Sequence, residues 1–195
     1  MATTIILVRH GETDWNREHR FQGHADPPLN ERGRAQASAL AEQLAGESFA
    51  TAYSSPLRRA LETAGILAGR LGVHFEPRDR LKEVDVGSWT GLTTTDVEER
   101  FPDGFRHWSV TRAGGWTDGE TYEALGARVM SELLELAELN AGEHILAVTH
   151  GGAIRSVLAA AAGVSLGSGD SGIGFVENCA AVWLAARDGK LERVD

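Results

Sequence analysis

Ile5-Ile6-Leu7-Val8-Arg9-His10-Gly11-Glu12-Thr13 joins four aliphatic residues directly to a cation, an imidazole and a glycine. The aliphatic run reads as a buried strand. Ligands of open α/β sheets bind just outside the carboxyl ends of the strands. Arg9 and His10 therefore stand where such a sheet does chemistry, and an arginine beside a histidine there points to a phosphoryl group. A second stretch repeats the arrangement: Ile145-Leu146-Ala147-Val148-Thr149 runs into His150-Gly151-Gly152. If both strands are central and parallel, the two imidazoles converge at one sheet edge. A lone histidine is most often a surface or satisfied core residue. Two His-Gly endings on the two best strands favour a functional role.

A third strand ends at Tyr53-Ser54-Ser55 and delivers Pro56-Leu57-Arg58-Arg59-Ala60. A helix starting near Pro56 puts Arg58 or Arg59 on its first turn, near the same edge. The plain alternative is a solvated face. A cation is unfavourable at a positive helix N-terminus, whereas a bound anion would satisfy both the dipole and the guanidinium.

Strand-like runs alternate with helical patterns along the rest of the chain, which predicts a three-layer α/β sandwich with a mostly parallel central sheet flanked by helices. Asn30 reads as the N-cap of a helix with Ala37, Leu40, Ala41 and Leu44 on one face. Phe49–Ser54 reads as a strand, followed by a helix with the stripe Leu57, Leu61, Ala64, Ala68 and Leu71. Val73–Glu76 is a short strand candidate. Thr121–Asn140 is the longest helix, with Leu125, Val129, Leu133 and Leu136 aligned, and Gly152–Ala162 a compact later one. Val182–Ala186 and Leu191–Val194 close the chain as a hairpin about Asp188-Gly189. Residues 92–119 have the weakest periodicity and contain Pro102, Trp108 and Trp116. They are expected to form a small helical insertion that caps the active site within a single domain, 1–195.

The 195 residues fit that one domain, and 42% hydrophobic with 24% charged residues is the balance of a globular protein. A net charge of −9 argues against nucleic acid and against an anionic membrane surface. It leaves room for a small anion, because charges further off than about 8 Å are screened at physiological salt. No apolar run reaches membrane-spanning length, and Met1-Ala2-Thr3-Thr4 lacks the features of a signal peptide. Cys179 is the single cysteine, which rules out an intramolecular disulfide and fits a reducing cytoplasm.

The motifs together resemble the histidine phosphatase superfamily, in its phosphoglycerate-mutase-like branch. Arg9-His10-Gly11-Glu12-Thr13-Asp14-Trp15-Asn16 is similar to that family's nucleophile motif R-H-G-E/Q-T with its following x-W/x-N. Phe21-Gln22-Gly23-His24-Ala25-Asp26-Pro27-Pro28-Leu29 resembles Q-G-x-x-D-x-P-L. Ser54 to Ala64 resembles S-S-x-L-x-R-A-x-x-T-A, which selects Arg59 over Arg58. Leu81 to Gly91 resembles L-x-E-x-x-x-G-x-W-E-G, with Thr90 in place of the second glutamate. Val148 to Gly152 matches V-x-H-G-G. Any block alone is weak; in order from residue 5 to about 180 they are highly specific.

The resemblance implies a phosphomonoester hydrolase working through a phosphohistidine on His10. A ring hydrogen bond to a backbone carbonyl would fix the His10 tautomer. Arg9, Arg59 and His150 would bind the phosphoryl oxygens. Asn16 and Gln22 would add neutral hydrogen bonds, and Gly11, Gly23 and Gly151 would complete the phosphate-binding set. Glu83 would protonate the leaving oxygen and then activate water. No metal or other cofactor is expected. Glu12 and Thr13 read as loop braces, Trp15 as packing, Gly119-Glu120-Thr121 as a helix entry, and Asn178 as either loop orientation or structure. The other histidines read as surface or packing residues, with His24 alone close enough to matter.

The expected partner is a small phosphorylated metabolite. Apolar residues near the C-terminal strands are compatible with a homodimer without requiring one. The alternative activity is a cofactor-dependent phosphoglycerate mutase. Against it, the mutase block L-N-E-R-x-Y-G reads here Leu81 to Gly87 without its Arg and Tyr. The wall at 92–119 also sets Arg100, Arg106 and Arg112 against Asp96, Glu98, Glu99, Asp103 and Asp118. A catalytically dead phosphate-binding module is the third alternative, disfavoured because every residue the chemistry needs is present. Phe101, Phe105, Trp108 and Trp116 read as the insertion's own core more than as a subsite for an apolar leaving group.

Overall fold

The computed structural model describes residues 2–168 and 171–194. Its centre is a six-stranded sheet of β1 (Thr3–Arg9), β2 (Thr51–Ser54), β3 (Phe75–Pro77), β4 (His144–Thr149), β5 (Ala181–Arg187) and β6 (Lys190–Arg193), in the order β3-β2-β4-β1-β5-β6. β3, β2, β4 and β1 are parallel; β5 and β6 add an antiparallel edge. The sheet is thus mostly parallel, as the alternation of elements predicts.

Side chains of a strand alternate between its two faces. On β1 and β4, Ile5, Leu7, Ile145 and Ala147 join one core, and Ile6, Val8, Leu146 and Val148 join the other. The first core is closed by α6 (Tyr122–Leu139) and α7 (Gly151–Ala162); the second by α2 (Glu31–Gln43) and α3 (Arg58–Leu71). Helices on both faces are what a parallel sheet needs, since both faces must be buried. The α6 stripe Leu125, Val129, Leu133 and Leu136 is fully buried, and each such side chain contributes roughly 1.5–3 kcal/mol.

The Asn30 cap is present: its Oδ1 accepts from the Gly33 N–H at 2.8 Å, worth about 1 kcal/mol. β2 starts at Thr51, two residues later than the apolar run suggests, and β3 is shifted to Phe75–Pro77. Pro56 lies outside α3 rather than in its first turn; Leu57 is the N-cap, so Arg58 and Arg59 open the helix. A four-residue helix, α1 (Asp14–Arg17), follows β1.

Between β3 and α6 lie two 3-10 turns and the helices α4 (Thr94–Arg100) and α5 (Pro102–Thr111). Their aromatics pack on one another and on the neighbouring loop. Phe21 meets Trp89 and Trp108, each at 5.0 Å between centroids, and Trp89 meets Trp116 at 5.5 Å. No helix among the described residues is long and apolar enough to cross a membrane.

Candidate active site

The register of β1 against β4 pairs Arg9 with Thr149, so the next residue of each strand is a histidine. The His10 N–H continues the ladder to the Thr149 carbonyl at 2.9 Å. The two rings lie edge to face, 5.1 Å between centroids. Both are buried, as are Arg9 and Arg59. The parallel pairing of two adjacent strands therefore brings the two His-Gly endings together.

His10 Nδ1 lies 2.7 Å from the Gly11 carbonyl oxygen. A carbonyl only accepts, so Nδ1 carries the proton and Nε2 the lone pair. The Nε–H of Arg59 donates to that Nε2 at 3.2 Å. Burial, then the Arg59 and Arg9 charges, hold the His10 imidazole well below its ordinary pKa. His10 is thus neutral, with a free electron pair facing a cation.

Arg59 is aimed by two carbonyls: Nη1 donates to Ala25 at 2.7 Å and Nη2 to Gly23 at 2.9 Å. Burial is the main cause that pulls its pKa down to about 10, so it stays charged at neutral pH. Arg58 differs: it is exposed and pairs with Glu62 at 2.8 Å. Arg9 donates through Nη1 to the Val176 carbonyl at 2.6 Å and lies 5.0 Å from the Phe175 ring. His150 Nε2 meets the Ser55 hydroxyl at 2.7 Å. Burial, then Arg59, lowers the His150 pKa well below its usual value. Arg9 Nε, His150 Nδ1 and Gln22 Oε1 are buried polar atoms without hydrogen-bond partners among the described residues. Such atoms are costly unless a ligand meets them. The site thus holds unspent hydrogen-bonding capacity around one nucleophilic nitrogen.

Glu83 meets the first turn of α7. Its carboxylate accepts from the N–H groups of Gly152 at 3.0 Å, Ala153 at 3.1 Å and Val84 at 2.9 Å. Arg128 holds the loop behind it: Nη2 donates to the Glu83 carbonyl and Nη1 to the Arg80 and Lys82 carbonyls, each at 2.8 Å. Glu120 fixes Arg128 by accepting from its Nε and Nη2 in a bidentate pair. His24 Nε2 donates to the Glu83 carbonyl at 2.9 Å. Thr90 is exposed, so the carboxylate is held by main-chain donors and not by the substituted position.

Some expected phosphate-site residues also take structural parts. The Gly11 N–H is spent on Thr63 Oγ1 at 3.0 Å, and a Cβ on Gly11 would overlap the Gly33 carbonyl. Gly11 is therefore a packing glycine, where the strand end and α2 touch backbone to backbone. Gly23, in a left-handed turn (φ 48°), works through its carbonyl on Arg59. Gly151 opens α7 and leaves space for the Arg9 side chain, 3.3 Å from where its Cβ would be. Asn16 Oδ1 closes a capping box with Thr13. Asn178 Nδ2 donates to the His10 carbonyl at 2.9 Å, which gives it an orienting place. Gly119-Glu120-Thr121 is a helix entry, with the Thr121 hydroxyl accepting from Ala124.

Ser55, Thr63, Arg128 and Val176 escape a sequence reading of the site. Ser55 and Thr63 sit inside the block that delivers Arg59. Arg128 signals itself only as a lone cation on the inner face of a long apolar helix. Val176 contributes a carbonyl, which leaves no residue-type signal.

A family model described as histidine phosphatase superfamily (branch 1) matches residues 5–194. Phosphoglycerate mutase-like protein 4 of Arabidopsis thaliana is 40% identical over 160 residues, covering 78% of this chain and 68% of that protein. The metal-independent phosphoserine phosphatase of the same plant is 39% identical over 166 residues, 80% of this chain and 67% of that protein. A phosphoserine phosphatase mutant from Entamoeba histolytica, solved in complex with phosphoserine, superposes with a TM-score of 0.80 at 28% identity. It covers 99% of this chain and 95% of that one.

Proposed function

Because this chain belongs to the histidine phosphatase superfamily, we propose that it hydrolyses phosphate monoesters through a phosphohistidine on His10. The observation that carries this is the state of His10: buried, neutral, with Nδ1–H on the Gly11 carbonyl and the Nε2 lone pair turned to Arg59. His10 Nε2 attacks phosphorus, and the bond from phosphorus to the ester oxygen breaks. The Arg59 N–H that faced the lone pair passes to a phosphoryl oxygen. Arg9 and the unpartnered His150 Nδ1 take up the remaining charge. Gln22, whose Oε1 is buried, adds a neutral polar group. Glu83, which takes up a proton when the anionic ester binds beside it, gives that proton to the leaving oxygen. In the second half Glu83 accepts a proton from water, whose oxygen attacks phosphorus. The P–N bond breaks and phosphate leaves. The scheme calls on no metal or cofactor.

The substrate is a small phosphorylated metabolite. Phosphoserine is the first compound to try, since it is named with two of the relatives. The segment 92–119 serves as a cap whose aromatic cluster walls the leaving-group side. Exposed Phe175 and Val194 offer apolar surface near the C-terminal strands for a homodimer, and the reaction is assigned to the cytoplasm. Phosphate release from a panel of monoesters, with His10→Ala as control, tests the activity; turnover that survives in the variant refutes the scheme.

A second activity is favoured by the mutase-like relative: return of the phosphoryl group to a sugar-acid hydroxyl. We expect isomerisation of 3-phosphoglycerate to be slow or absent. Efficient interconversion dependent on 2,3-bisphosphoglycerate reverses that choice.

A further inference from the structure

One hydrogen bond joins the loop that aims Arg59 to the segment that carries the acid. His24 lies between Gly23 and Ala25, whose carbonyls accept from Arg59 at 2.9 and 2.7 Å. Its own side chain reaches the acid segment, where Nε2 lies 2.9 Å from the Glu83 carbonyl oxygen. A carbonyl only accepts, so this ring nitrogen carries a proton and donates. Three consecutive residues thus hold the cation through their main chain and the proton donor through one side chain.

The oxygen that accepts from His24 decides what the bond can do. The Glu83 carbonyl belongs to the same peptide unit as the Val84 N–H, and that N–H donates to Glu83 Oε1 at 2.9 Å. The contacts therefore run from the imidazole through one peptide to the carboxylate. A peptide that accepts at its oxygen donates more strongly at its nitrogen, because hydrogen bonds in series polarise one another. Arg128 Nη2 donates to the same oxygen at 2.8 Å. A carbonyl oxygen has two lone pairs, and these two donors fill both. They come from separate elements: Arg128 from α6, where Glu120 holds it, and His24 from the loop before α2. The plane of the peptide is fixed from both, and with it the direction in which the Val84 N–H meets Oε1. Gly23 keeps the two segments close, since a Cβ there would stand 2.8 Å from Val86 Cγ2.

We propose that His24 is a positioning residue for the proton donor: through the peptide between Glu83 and Val84 it orients the Glu83 carboxyl and couples it to the loop that aims Arg59. This rests on the hydrolase reading, in which Glu83 protonates the leaving oxygen. His24 acts through Glu83, so its effect falls on that proton transfer and spares the grip on phosphate. Esters whose leaving group needs a proton depend on it; esters with an acidic leaving group do not.

Two substitutions separate the donor from the bulk of the side chain. His24→Phe keeps a ring and loses the N–H, whereas His24→Gln keeps an N–H. His24 is exposed, so both variants are expected to fold. Kinetics on the fastest alkyl ester of the monoester panel and on p-nitrophenyl phosphate, with inhibition by inorganic phosphate, compare them. His24→Phe should lower kcat on the alkyl ester about three- to tenfold, the worth of one hydrogen bond. Its kcat on p-nitrophenyl phosphate and its inhibition constant for phosphate should move by less than about twofold. His24→Gln should recover most of the loss. In a Glu83→Gln background, His24→Phe should cost nothing further, since the two act as a unit. Unchanged turnover of the alkyl ester by His24→Phe overturns the proposal. So does a variant that slows both esters equally and loosens phosphate, because a plain loop brace would do that, and so does a further loss in the Glu83→Gln background. If Glu83→Gln discriminates between the esters and His24→Phe does not, this inference falls alone; if Glu83→Gln slows both esters alike, the acid role falls with it.

Discussion

The Arg59 Nε–H points at the Nε2 lone pair of His10 across 3.2 Å, while the far nitrogen of the same ring is tied to the Gly11 carbonyl. One bond keeps the lone pair on the reacting side. The other stations a cation where phosphoryl charge would develop. Removing Arg59 should therefore hurt the transition state more than binding. Arg59→Ala is expected to lower kcat by about 10²–10³. Arg59→Lys should recover little, because a point charge cannot serve Gly23, Ala25 and the reacting centre together. Steady-state kinetics on both variants checks this; full recovery by lysine would show that charge alone suffices.

Glu83, as proton donor, matters in proportion to the basicity of the leaving oxygen. Glu83→Gln keeps one oxygen for the Val84 and Ala153 N–H groups, sets its amide nitrogen against the Gly152 N–H, and loses the proton. The expected drop in kcat is about 10²–10⁴ for an alkyl phosphate and much smaller for p-nitrophenyl phosphate, whose leaving group needs no proton. Equal losses on both esters would remove the acid role.

Buried His10 and His150 make stability depend on pH. Both have pKa values lowered in the fold, burial being the first cause. The unfolded chain titrates near 6.5. Above that pH both states hold the rings neutral. As pH falls below it, the unfolded chain takes up protons that the folded one refuses, so stability is lost toward the folded values. The slope approaches about 1.4 kcal/mol per pH unit for each histidine. Urea titrations between pH 6.5 and 5 should give a slope shallower by that amount in His10→Ala. Parallel slopes would mean that His10 protonates freely in the fold.

Gly33 supports His10 from behind. A Cβ there would overlap the Glu12 carbonyl and stand 2.7 Å from the Glu12 amide nitrogen. Gly33→Ala must push the loop after His10 away from α2. A loss of about 1–3 kcal/mol is expected, with a fall in kcat from the displaced ring. A chemical melt and an assay on the same sample measure both; unchanged values would show that the loop yields without cost.

The central strands and the convergence of His10 with His150 were legible because apolar runs and chemical residues coincide there. The Asn30 cap and the α6 stripe carried equally direct signals. Less could be read where the main chain does the work. Gly23, Ala25, Val176 and Arg80 act through carbonyls, which every residue type possesses. Pro56 suggested a helix start that falls two residues later, since the proline serves the approach to Leu57 rather than the helix itself. That Gly11 also abuts the Gly33 backbone, twenty-two positions on, is invisible to local pattern.

The covalent intermediate tests the account most directly. Wild-type protein mixed with phosphorus-labelled substrate, quenched in base within one turnover and mapped by peptide mass spectrometry, should carry an acid-labile phosphoryl group on His10 and nowhere else. Turnover that proceeds with no label on His10, or with the label on another residue, would contradict the account.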